Sequence, residues 1–298
     1  MSTLKIIHSN EVLSTLDIKS KNARIDKKYH DDALQVSVMH LSTDRILYIE
    51  PVTSEAIYKT YYIVKGACFV FDDASIIREG DMLIFNNPDE IQTLKVLEDT
   101  IILVHATNYD VYKTVEIKHE LMDRLLTDIQ NKDHYTGEHS LRVYELVQKL
   151  AIRMGYKAKA LNDITKAAYY HDLGKIHIAD HILNKPDKLN SEEYDKIKKH
   201  VETSKDEIIK HFNTRVFDII YQHHERFDGS GYPVGLKGYD ILEEARILAV
   251  CDSYDAMITD RVYKKGKSAE IALLELRELS GILYDPEIVA AFTNMILE

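Results

Sequence analysis

Cysteine is almost missing from this 298-residue chain: only Cys68 and Cys251 occur, and neither has a partner at metal-binding spacing. Both sit in apolar surroundings, Phe69-Val70 and Ala249-Val250, and are read as small buried hydrophobes. Proline (5) and glycine (11) are too sparse for long disorder. No apolar run approaches the ~18 residues that a membrane-spanning helix needs. The first residues, MSTLKIIHSNEVLS, lack a basic region followed by an apolar signal core. The expectation is a cytoplasmic protein with no membrane partner. An excess of positive charge is also lacking, since the formal net charge is −11. That argues against polymeric nucleic acid as a partner, because binding its backbone relies on a cationic face that releases counterions. A small phosphorylated ligand is compatible with the charge, provided bound metals and local Lys or Arg supply the positive side.

What is present fits a folded protein, with 45% hydrophobic and 29% charged residues. The length exceeds a typical single domain, so two domains are expected. Residues 30–107 alternate short β-rich runs (LQVSVMHLS, RILYIEPV, YKTYYIVKGACFVFD, DTIILVHATN) with turn signals at Asp72-Asp73 and Glu79-Gly80-Asp81. This reads as an all-β domain. After Thr107 the period changes: Val115, Met122 and Ile129 recur every seven residues, with Leu121, Leu125 and Leu126 between them. A helix over 109–132 would join two domains, 1–108 and 133–298, and its spacing also suits a coiled-coil homodimer. From residue 137 the apolar positions have helical period, as in Leu141, Leu146, Val147, Leu150 and Met154, so the second domain reads as all-α.

Chemistry concentrates in that second half. Of 14 histidines, those with acidic residues beside or between them on helix-compatible positions are His139, His171-Asp172, His200 and His223-His224, together with Asp252. Imidazole and carboxylate suit Fe, Mn or Zn, and several His plus two Asp on facing helices make up the ligand count for two ions. Two adjacent imidazoles, or a His-Asp pair ending an apolar stripe, would be costly to bury without coordination. By contrast His134, His177, His181 and His211 are read as solvated or capping residues. His8, His30, His40 and His105 lie in or before the β region and are read as core or surface residues.

HHERFDGSGYP at 223–233 and HDLGK at 171–175 resemble the two signatures that give the HD-GYP family its name. Family-like elements also run through DHYTGEHSLRV at 133–143, ILNKPDKLNSEEYDKIKKH at 182–200, ARILAVCDSYDAMITDRVYKK at 245–265 and SGILYDPEIVAAF at 280–292. The resemblance implies a helical bundle that hydrolyses cyclic di-GMP to pGpG, with a second cut to GMP left open, by attack of a metal-bridging hydroxide. It implies one ion on His139, His171, Asp172 and Asp252, and a second on Asp172, His200, His223 and His224, with Asp172 bridging. The ions would be Fe or Mn, with Zn, Mg or Ni as alternatives. Where some members carry a glutamate for a third ion, this chain has Tyr135, so a dinuclear centre is expected. Lys175, Tyr232, Arg261 and Lys264 match substrate-contacting positions, and the Tyr232-Pro233 loop matches one implicated in partner docking. Hydrolysis of cyclic GMP-AMP, or non-catalytic binding of a cyclic dinucleotide, are the competing readings.

The segments 57–66 and 78–88 resemble the two motifs of cupin barrels, but contain none of the histidines of metal-binding cupins. The first domain is therefore expected to be a cupin-like barrel that senses a small molecule or serves structurally.

Overall fold

The computed structural model describes residues 11–18, 23–49, 58–71, 74–85, 91–107, 136–185, 187–260 and 265–298. The helix expected over 109–132, Tyr135, and the substrate candidates Arg261 and Lys264 lie outside the described residues. The chain divides into two compact units, one of strands and one of helices. Among the described residues no helix is long and apolar enough to cross a membrane.

Among the described residues up to 107 the first unit is built of β-strands, with every pairing between them antiparallel. Its strands are β1 (Ser14–Ile18), β2 (Ala23–His30), β3 (Leu34–Leu41), β4 (Ile46–Ile49), β5 (Lys59–Lys65), β6 (Ala67–Val70), β7 (Ser75–Arg78), β8 (Met82–Phe85), β9 (Gln92–Val96) and β10 (Thr100–Thr107). One sheet has the order β1-β2-β3-β10-β5-β8 and the other β4-β9-β6-β7. Along β10 the side chains alternate, turning Thr100, Ile102, Val104 and Ala106 inward, where they join Ile63, Leu94 and Val96 in one core.

The structure corrects two sequence expectations. The β region begins at Ser14, well before residue 30. The run 58–72 is two strands, because the chain leaves one sheet after β5, turns at Gly66 and enters the other as β6. The early strands were hidden by their charge. In β2, Asp26 is buried, and its carboxylate accepts hydrogen bonds from Arg24 Nε (2.8 Å), Arg24 Nη2 (2.7 Å) and Thr15 Oγ1 (2.8 Å). A paired charge can sit in a strand where an unpaired one could not.

The second unit contains α1 (Thr136–Arg153), α2 (Ala158–Tyr170), a 3₁₀ turn (Leu173–His177), α3 (Asp180–Leu183), α4 (Ser191–Lys198), α5 (His200–Thr203), α6 (Lys205–His211), α7 (Thr214–Gln222), a second 3₁₀ turn (Gly238–Asp240), α8 (Glu243–Ile258), α9 (Ala269–Glu278) and α10 (Pro286–Leu297). Local signals set the ends. A capping box formed by Asn190 and Glu193 starts α4, the Asn213 side chain caps α7, and Asp285 followed by Pro286 starts α10. Helix α1 packs on α8, and its Val143, Val147 and Leu150 are fully buried. Cys68 and Cys251 are both buried, and burial raises both thiols.

Candidate metal centre

The polar side chains of the helical unit converge where helices end. His171 follows the last residue of α2, His200 opens α5, and His223 caps the C-terminal end of α7. Each uses Nδ1 in the same way, toward the backbone carbonyl three residues earlier: Ala168 at 2.8 Å, Ile197 at 2.8 Å and Ile220 at 2.6 Å. A carbonyl can only accept, so Nδ1 carries the hydrogen and Nε2 is left as the basic nitrogen.

His139, on α1, is held differently. Its Nδ1 is 2.7 Å from Asp255 Oδ2, and its Nε2 is 3.2 Å from Asp252 Oδ1. Arg142, one turn along α1, grips Asp255 with Nε (2.7 Å) and Nη2 (3.0 Å). Asp255 is 1% exposed.

These groups form one continuous cluster. Ring centroids lie 5.2 Å apart for His139–His171 and for His171–His223, 5.1 Å for His200–His224 and 3.9 Å for His223–His224. The two oxygens of Asp172 face different histidines: Oδ2 is 3.5 Å from His171 Nε2, and Oδ1 is 3.7 Å from His200 Nε2. Asp252 Oδ1 is 4.0 Å from His171 Nε2. The ligand atoms of three overlapping groups lie within 4.8 Å of one another: His200, His223 and His224; His139, His171 and Asp172; His171, His223 and Asp252.

Two observations fit this cluster to cations. His200 Nε2 and His223 Nε2 are buried without a hydrogen-bond partner, and a buried polar atom left unpaired is costly unless something coordinates it. The set of imidazole nitrogens and carboxylate oxygens is also one that suits divalent Fe, Mn or Zn.

The electrostatics agree. Burial pushes His200 down to about 4 and His223 down to about 3, so both are neutral at physiological pH, as a ligand must be. Burial and the adjacent His223 hold His224 well below the usual imidazole range. Burial alone would raise the Asp172 carboxyl, but the Lys175 ammonium and the surrounding imidazoles overcome it and hold the carboxyl well below its usual value. Asp252 is depressed in the same way through His139. For His139, burial opposes the charged form, yet hydrogen bonds to Asp252 and Asp255 raise it to about 9.

The sign of the pH dependence follows from His139. A group held at about 9 is protonated at pH 8, and a divalent ion must displace that proton. Metal binding at pH 8 is therefore expected to release about one proton from His139 and none from His200 or His223, so affinity rises with pH up to about 9. Titration calorimetry in two buffers of different ionisation heat reads this directly. Equal heats in both buffers would contradict it.

The structure brings together all seven sequence-derived ligand candidates: His139, His171, Asp172, His200, His223, His224 and Asp252. Lys175 is beside them, its Nζ 2.7 Å from Asp172 Oδ2. The Tyr232 ring stacks on His224 with centroids 4.8 Å apart and planes 29° apart. Its loop uses two glycines for different reasons. Gly229 has a positive φ of 86°, but Gly231 does not. A Cβ at Gly231 would lie 2.5 Å from both Glu225 Cα and His224 O, so close approach requires that glycine. His177 and His181 are exposed, and His211 pairs with Glu207 at 3.2 Å, all outside the cluster.

Asp255 and Arg142 were missed from sequence. The signal was a second Asp three residues after Asp252 and an Arg three after His139, one helical turn from each ligand candidate. Carboxylates behind a ligating histidine are worth about ten- to a hundredfold in metal affinity. Asp255→Asn is expected to weaken metal binding by that factor, as measured by competition with a chromophoric chelator. Unchanged affinity would remove Asp255 from the site.

A family model described as HD domain matches residues 123–288, more than half of the chain. Over 207 residues the chain is 38% identical to a protein of Thermotoga maritima named cyclic di-GMP phosphodiesterase, a match covering 68% of this chain and 56% of that one. A Pseudomonas aeruginosa protein named cyclic di-GMP phosphodiesterase is 36% identical over 173 residues, covering 57% of this chain and 42% of that one. A Vibrio cholerae protein named 3′3′-cGAMP-specific phosphodiesterase is 35% identical over 178 residues, covering 58% and 34%. The chain thus spans about half the length of the curated relatives it matches.

Proposed function

Taking as premise that the chain belongs to the HD domain family and carries its HD-GYP signatures, we propose that it is a metal-dependent phosphodiesterase that opens cyclic di-GMP to the linear dinucleotide pGpG. The observation that carries this reading is the pair of buried, unpartnered Nε2 atoms on His200 and His223 within a cluster of imidazoles and carboxylates.

In this reading His139, His171, Asp172 and Asp252 hold one ion and Asp172, His200, His223 and His224 the second. Asp172 would be shared by both ions, a role supported by its two oxygens facing two different histidines. Fe or Mn are the favoured ions on ligand type. When bound, such a pair supplies an activated water at neutral pH and neutralises charge on the phosphoryl oxygens. The chain's own groups do the rest. Lys175 places an ammonium 2.7 Å from Asp172, where it can meet a phosphate oxygen and offset its charge. Tyr232 covers His224 and gives a flat wall on which a base or sugar can rest. Arg261 and Lys264 are carried as phosphate or guanine contacts on the strength of the signature.

The β unit has a cavity of about 220 Å³ lined by Ile49, Val70, Leu83, Ile84, Phe85, Gln92 and Leu94. Its lining, apolar but for Gln92, is in keeping with the proposed sensor role for a small molecule.

The test is product analysis. The chain is reconstituted anaerobically with Fe or Mn, incubated with cyclic di-GMP and separately with 3′3′-cGAMP, and the products are resolved by chromatography. Linear pGpG with a higher kcat/KM for cyclic di-GMP is expected. Preference for the mixed nucleotide, favoured by the Vibrio cholerae relative, would replace the substrate, and no turnover at full metal occupancy would overturn the enzyme reading.

A further inference from the structure

Glu225, the residue after the ligand candidate His224, is 2% exposed, and its carboxylate is directed at the loop that follows. Oε1 accepts from the backbone N–H of Val234 (2.8 Å) and Gly235 (3.1 Å), and Oε2 accepts from Gly235 (3.0 Å) and Leu236 (3.0 Å). Three successive amides pointing at one buried carboxylate form a closed clasp, a strong charge-assisted arrangement.

What the clasp fixes is Tyr232. The loop leaves the chain at Glu225 and returns to it at residues 234–236. Between these points the Tyr232 N–H donates to His224 O at 3.2 Å, and Gly231 lies against the Glu225 backbone. With both ends pinned to the segment that carries His224, the Tyr232 ring is left flat on the imidazole. Asp228 closes the outer part of the loop by accepting from Ser230 N (2.9 Å) and Ser230 Oγ (2.6 Å), but that bracket is exposed and makes no link to residues 223–225. The buried side-chain link from residues 223–225 to the returning part of the loop is Glu225.

We propose that Glu225 is a positioning residue. It acts through Tyr232, holding that ring over His224 so that the tyrosine forms the substrate-facing wall of the centre, while Glu225 itself binds neither metal nor substrate. This rests on the reading of His224 as a ligand.

The chain has no tryptophan, so Tyr232→Trp installs a single reporter at the wall. In the full chain loaded with Mn, a paramagnetic ion, its emission is expected to be quenched. Adding Glu225→Gln, which keeps the shape but puts an NH₂ donor against the Leu236 or Val234 amide, is expected to halve that quenching at least, with Mn content per chain unchanged. Quenching that stays the same, or Mn that is lost with the carboxylate, overturns the proposal. The kinetic counterpart, in the chain with Tyr232, is a roughly tenfold rise in KM with kcat within about threefold, on the scale of one lost charged hydrogen-bond partner. A fall in kcat at constant KM would contradict action through a binding wall. A chain without turnover on any cyclic dinucleotide would defeat the proposed function and leave the quenching result to decide this one. Should Glu225→Gln fail to fold, Glu225→Asp, with the same charge one methylene short, gives the same two readouts.

Discussion

Replacing Asp172 by Asn is expected to reduce the proposed hydrolysis of cyclic di-GMP by about a thousandfold or more, a loss of roughly 4 kcal/mol of transition-state stabilisation. Three observations set that size. Asp172 is 3% exposed, its two oxygens face His171 and His200, and its charge is what Lys175 pairs with. An amide of the same shape keeps one acceptor but loses the negative charge and one oxygen. It would leave the Lys175 ammonium beside a neutral group and deprive two neighbouring ligand groups of their shared member. The check is steady-state kinetics on the metal-loaded variant together with its metal content. Activity within tenfold of the original chain would mean that Asp172 is not the bridging position.

The second large effect is removal of the metal itself. Stripping the protein with a chelator is expected to abolish turnover and to lower the stability of the helical unit, because the cluster then holds two buried, unpaired nitrogens. A ligand present at a thousandfold over its Kd stabilises by about 4 kcal/mol. For a unit of this size that is a shift of roughly 10 °C in the melting temperature. Calorimetry before and after stripping measures it, and return of both activity and melting temperature on adding Mn or Fe completes the cycle. A melting temperature indifferent to metal would contradict the account of the orphaned nitrogens.

The candidate site was almost fully legible in the sequence. Its ligand candidates come as adjacent pairs, His171-Asp172 and His223-His224, and such pairs stand out against helical apolar periods because burying them is costly. The groups behind them do not stand out. Asp255 and Arg142 occupy ordinary helical positions, where charged residues usually face water, and only the packing of α1 on α8 turns them toward His139. Glu225 was equally hidden, since its partners are backbone amides of Val234, Gly235 and Leu236, which carry no residue-specific signal. In the β unit the alternation that marks strands was readable in β3, β4, β5 with β6, and β10. It failed at β2, whose Arg24, Asp26, Lys27 and Lys28 disfavour a strand by composition. It also failed at Gly66, where the two-residue period runs from β5 to β6 although the chain has changed sheets.

The most direct test of the central claim, that this buried histidine and aspartate cluster is a two-metal centre, is the metal stoichiometry of the full chain after anaerobic loading with Mn or Fe and gel filtration, read by plasma mass spectrometry. The account predicts about two ions per chain, one for each half of the cluster, falling to about one when His200→Ala and His223→Ala are combined, because both belong to the same half. A chain that retains no metal, or that retains it undiminished in the double variant, would contradict it.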